Sequence, residues 1–110
     1  MAETLTERIH RLTEELNQRL EATQRKYQEW NFGVPAWVDT AFGTLSYERF
    51  DGEWQLIIRD KEQTTWPALR APRPLRAEAL QSIPKLTKAL ELEAVKLADS
   101  LTHIFNETDI

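Results

Sequence analysis

The 110-residue sequence predicts one α+β domain: a long N-terminal helix, a two- to three-stranded antiparallel sheet, and a C-terminal helix interrupted near Pro84. Three observations predict it. Apolar residues recur at helical spacing through the first thirty positions, alternation flanks an Asp51-Gly52 pair, and a second helical pattern follows a proline-arginine segment. The expected boundaries are a helix over about 4–31, a sheet over about 34–60, a loop over about 61–73 and a helical region over about 74–106, within a single domain spanning 1–110.

Thr4-Leu5-Thr6-Glu7 has the spacing of a capping box, in which the Thr4 hydroxyl accepts from the third amide and Glu7 reaches back. Leu5, Ile9, Leu12, Leu16, Leu20, Thr23, Tyr27 and Trp30 then fall on one narrow stripe. Glu7–Arg11, Glu15–Arg19 and Glu21–Arg25 are spaced as i,i+4 ion pairs on its flanks. Gly33 offers a C-terminal cap position, and Pro35 prevents continuation. A helix of this length spans about 39 Å, more than the width of a three-stranded sheet. It is therefore expected to pack along another helix, either the C-terminal one or its own copy in a dimer.

Asp51-Gly52 between two β-rich runs is the strongest short-range hairpin signal. A two-residue turn pairs Phe50 with Glu53, Arg49 with Trp54, Tyr47 with Leu56 and Leu45 with Ile58. One face then carries Leu45, Tyr47, Trp54, Leu56 and Ile58, and is expected to be core. The other face, carrying Phe50 and Ile57 among polar residues, is expected to be mostly wet. A third strand is placed around Val34–Thr40, with Phe42-Gly43 turning into the hairpin. Nine of the ten aromatics lie between residues 27 and 66, which reads as a sheet–helix core and its rim.

Trp66–Arg76 reads as a loop entering a helix, with Pro74 in the first turn, where its missing N–H costs nothing. Arg73 and Arg76 at a helix start oppose the macrodipole and call for compensation. Pro84 is expected to break the pattern, with Ser82 capping a new helix. Ile83, Leu86, Leu90, Ala94, Leu97, Leu101 and Ile104 form the main apolar face, with Phe105 at its edge. Leu92 and Val95 lie nearly opposite, beside Lys85, Lys88 and Asp99.

The net charge of −4 is uneven. Residues 59–88 hold seven bases and three acids, whereas 89–110 hold Lys96 against five acids. The polar, acidic start lacks the basic-then-apolar pattern of a signal peptide, no apolar run approaches the roughly 20 residues of a membrane span, and the chain has no cysteine. A cytoplasmic location without membrane partners is the expectation. His10 and His103 sit off the apolar stripes, each four residues before a Glu, and three scattered glycines build no phosphate-binding loop. No catalytic residue, cofactor or metal site is expected.

The leading expectation is a small non-enzymatic protein-interaction module, of accessory or inhibitor type, that docks a helix face or the sheet on another protein. A homo-oligomer is expected with it, a dimer being the favoured form. Leu92, Val95, Phe50 and Ile57 are the candidate contact residues. The alternative is binding of nucleic acid or an acidic partner through Arg70, Arg73, Arg76, Lys85 and Lys88. A third expectation is an aromatic ligand pocket near Trp37 and Trp66.

Overall fold

In the computed structural model, which describes residues 2–109, the first helix, α1, runs Leu5–Trp30. The Thr4 hydroxyl accepts from the Glu7 amide at 3.1 Å, as the capping spacing requires. The C-terminal cap is Asn31 rather than Gly33. It adopts the left-handed conformation (φ 52°) and returns its N–H to the Tyr27 carbonyl. Asn tolerates this region because its short side chain bonds locally, so the helix closes two residues before the glycine. Arg19 pairs with Glu15 and Arg25 with Glu21, but Arg11 reaches back to Glu3 instead of Glu7.

The sheet has four strands in the order β1 (Ala36–Thr40), β2 (Gly43–Phe50), β3 (Glu53–Asp60) and β4 (Thr65–Pro67), each antiparallel to the next. The β2–β3 register is the one the Asp-Gly turn dictates: Phe50 faces Glu53, Tyr47 faces Leu56 and Leu45 faces Ile58. Asp51 (φ 54°) and Gly52 (φ 84°) both take positive φ, as a twist-matched two-residue hairpin demands. Two rows form the core face, Ala36–Tyr47–Leu56 and Val38–Leu45–Ile58–Trp66.

The fourth strand falls in a stretch expected to be loop. Asp60 builds the reversal that allows it. Its carboxylate accepts from the amides of Glu62 and Thr64 and from the Trp66 indole at 2.9–3.2 Å, and the Asp60 amide donates to the Thr64 carbonyl. Pro67 ends the ladder because it has no N–H to donate.

The second long helix, α2, runs Arg73–Thr108 without the interruption expected at Pro84. Pro84 withholds its N–H from the Leu80 carbonyl, but its ring lies on the exposed side of the helix. Ser82 caps nothing; its hydroxyl donates to the Glu78 carbonyl within the same helix. Leu86 and Leu90, just beyond the proline, are fully buried. At about 1.5–3 kcal/mol each, these two offset the roughly 3 kcal/mol that an interior proline costs.

Both helices pack on the core face of the sheet, and they run parallel. The Tyr27 hydroxyl meets that of Thr87 at 2.6 Å, and Arg73 donates to the Thr13 hydroxyl at 3.3 Å. Both contacts join residues sixty apart, so α1 residue n lies level with α2 residue n+60. The buried core combines Leu20 and Tyr27 of α1, Leu45, Tyr47, Leu56 and Ile58 of the sheet, and Ala79, Leu86 and Leu90 of α2. Gln24 of α1 accepts from the Leu56 amide, and Gln28 donates to the Trp54 carbonyl, which covers the β3 edge where β4 stops short.

This alignment has a geometric consequence. Trp30, the end of α1, is level with Leu90, so Glu91–Thr108, half of the 36 residues of α2, continues past its neighbour for about 27 Å. At the other end Leu5–Leu12 of α1 precede the start of α2 by about 12 Å. The staggered pair accounts for a molecule 73 Å long but only 34 by 24 Å across.

Candidate docking surface

The amphipathic pattern of α2 does not change where its neighbours end. Between Arg73 and Leu90 one side, marked by Leu80 and Thr87, faces α1, and the adjoining side, marked by Ala79 and Leu86, faces the sheet. At about 100° per residue, the α1-facing side continues through Ala94, Ala98, Leu101 and Phe105. The sheet-facing side continues through Leu97 and Ile104. In the folded chain these positions have lost their cover: Leu97, Leu101, Ile104 and Phe105 are all exposed, Phe105 by 63%. The main apolar face expected to close over the core does so only as far as Leu90. Leu5, Ile9 and Leu12 at the start of α1 are exposed in the same way.

Phe32 marks the junction. Leaving α1 after the Asn31 cap, it stacks on Trp30 with ring centroids 5.3 Å apart, at one end of an aromatic chain through Tyr27 and Tyr47 to Trp54. Between Phe32 and the α2 residues Glu91, Ala94, Val95 and Ala98 lies a groove of about 490 Å³. Apart from Glu91 its lining is apolar. It sits where α1 would continue if α1 were longer. The periodicity of α2 gave the apolar face, but not the point at which its neighbours stop, so this groove had no signal in the sequence.

The four residues expected to contact a partner are not one surface. Val95 borders the groove, whereas Leu92, three residues earlier and about 60° away on the helix, points further from α1; both are 54% exposed. Phe50 is half-buried at the hairpin end. Ile57 is fully buried, which corrects its placement on a wet face. In its row it stands between Ser46 and Pro67, and the Arg59 side chain crosses that row to pair with Glu48. The chain covers Ile57 itself.

The basic residues separate too. Arg73 donates to Thr13 on the α1 side, while Lys85 and Lys88 are exposed on the far side of the helix, and Arg70 belongs to the short 3-10 turn Ala68–Arg70. Arg76 is half-buried, and its Nε is enclosed without a hydrogen-bond partner among the described residues. No acid compensates Arg73 or Arg76 among those residues. Trp37 and Trp66 do not share a pocket: Trp37 is exposed in the outer row with Ser46 and Ile57, and Trp66 lies in the core row opposite Ile58.

A second cleft, about 550 Å³ in volume, opens between the end of α1 and the β2–β3 turn, with Gln28, Asn31, Arg49 and Glu53 at its walls. Asp60 is held below the usual carboxylate range, first by the Thr64 amide and then by the Trp66 indole, but both bonds serve the turn. Burial raises the Tyr27 phenol inside the core. Among the described residues no group of three or more His, Asp or Glu is placed to hold a metal, and no helix is long and apolar enough to cross a membrane. His103 pairs with Glu107 at 3.2 Å on the helix surface. The chain matches no family model, and comparison with curated proteins and with solved structures gave no match.

Proposed function

We propose that this protein is a non-enzymatic interaction module whose docking element is the projecting half of α2, Glu91–Thr108. The observation that carries the reading is the persistence of the apolar face along the part of α2 that runs past α1, where Leu97, Leu101, Ile104 and Phe105 are exposed. A lone helix in water owes little stability to propensity and most of it to packing of its apolar side. A surface bearing Leu97, Leu101, Ile104 and Phe105 in contiguous exposure is the kind of patch that marks a binding site. The body of α1 and the sheet acts as a rigid base that holds the projection at a fixed angle and supplies Phe32 at its foot.

A photo-activated cross-linking side chain placed at Leu101 or Phe105, with Gln63 in the distant β3–β4 loop as control, tests the reading in extracts of the native host. The expected result is a discrete protein adduct at 101 and 105, of this chain or of another protein, and none at 63. Adducts at 101 and 105 no stronger than at 63 would overturn it.

A further inference from the structure

We infer that the projecting helix docks on a second copy of itself, antiparallel, with Phe105 of each copy seated in the groove beside Phe32 of the other. The inference rests on the docking reading above and adds the occupant. Its basis is a self-complementary size pattern on the bare α1-facing stripe: Ala94, Ala98, Leu101, Phe105, small at the base and large at the tip. A two-fold axis between Asp99 and Ser100 sets Ala94 opposite Phe105 and Ala98 opposite Leu101, and repeats both pairs on the other side. Each bulky side chain then meets an alanine, as facing layers of a packed core require. On one flank the same operation brings Leu97 beside Ile104, and on the other Val95 beside Thr102.

A parallel pairing would do the opposite, crowding Phe105 on Phe105 and leaving Ala94 facing Ala94. It would also align the two helix dipoles, which the antiparallel arrangement sets head to tail. The charges agree with this choice of face. Lys96, Asp99, His103 and Glu107 all project away from the stripe, and Glu91 stands only at its base.

The area suffices. Val95, Leu97, Leu101, Ile104 and Phe105 are 38–63% exposed. At about 200 Å² for a large side chain they offer roughly 500 Å² per copy, and about 1,000 Å² in the pair reaches the lower bound for a specific interface. The groove of about 490 Å³ at the foot of the helix accommodates a phenyl ring.

Sedimentation of the purified chain over a wide concentration range reads the association directly. The expected result is a monomer–dimer equilibrium. Phe105→Asp weakens it at least about 100-fold. Ala98→Phe weakens it as well, although it adds apolar surface, because the seam needs a small residue there. Both positions are exposed in the monomer, and an unchanged circular dichroism spectrum confirms that the fold survives. Since the chain has no cysteine, Ala98→Cys and Leu101→Cys proteins can be mixed and oxidised; the antiparallel pair forms the mixed 98–101 disulfide in preference to either homodimer. A monomer at every concentration, or 98–98 disulfides in excess, overturns self-pairing. If a monomeric chain still gives an adduct to another protein at Leu101, self-pairing fails while the docking reading stands. If both experiments are negative, both fail.

Discussion

The Tyr27 and Thr87 hydroxyls are 2.6 Å apart, and the direction of that bond is fixed. Thr87 has one proton and gives it to the Ile83 carbonyl at 2.9 Å, so Tyr27 is the donor. The bond sits between α1 and α2 in the last turn they share, and it pins the stagger that carries half of α2 past the end of α1. Tyr27 is also 1% exposed and lies edge-on to Tyr47 at 5.2 Å.

Tyr27→Phe keeps the ring and removes only the donor. We expect it to lower stability by about 1 kcal/mol, the net worth of one such bond. Tyr27→Ala also opens a cavity and should cost about 3–5 kcal/mol. Chemical denaturation of the three proteins separates the two contributions.

Gly43 opens β2 at φ 138°, and a Cβ there would collide with the Arg59 carbonyl across the sheet. Gly43→Ala is therefore expected to destabilise by at least ~2 kcal/mol. Nothing lies within 4 Å of where a Cβ at Gly52 would be, so Gly52→Ala carries only the positive-φ strain of about 1 kcal/mol and should be the milder change. Thermal melts of the pair would show whether the order holds.

Pro84→Ala should stabilise the protein. The side chain is exposed, so little packing is lost, while the Leu80 carbonyl regains its donor. The scale for Pro against Ala inside a helix is about 3 kcal/mol, and a gain of roughly 1–3 kcal/mol in denaturant unfolding is the expected outcome.

Asp60 ties stability to acid. Its folded-state pKa lies below the ordinary value of 3.8, so its stabilising contribution is complete above that value and is lost as pH falls through the lower, folded one. Asp60→Asn should flatten this part of the acid profile. Melting temperatures of both proteins from neutral pH down to about 2.5 check it, and a parallel decline in the two would argue against the assignment.

How much of this was legible in the sequence depends on the range of the signal. The β2–β3 register follows from two adjacent residues, Asp51 and Gly52, because a two-residue turn leaves no freedom in the pairing. The α1 stripe from Leu5 to Trp30 is equally local. β4 was not legible: three residues ending in proline carry no alternation, and the turn that creates it depends on Asp60 gathering three donors from Glu62, Thr64 and Trp66. Pro84 misled because propensity was outweighed by the tertiary burial of Leu86 and Leu90. Ile57 misled because alternation assigns a face but cannot show that Arg59 folds across it toward Glu48. The docking stripe failed for a similar reason. Periodicity marks Leu97, Leu101 and Ile104 as apolar-facing whether they meet a core or solvent, and only the sixty-residue stagger of the helices decides which.

Small-angle scattering of the associated species tests the account most directly. Two 73 Å molecules overlapping along about 27 Å of antiparallel helix give a particle about 120 Å long. A species of twice the monomer mass with that maximum dimension is the predicted result. A doubled mass with a maximum dimension near that of the monomer would mean that the copies lie side by side on another face, and would contradict the projecting helix as the docking element.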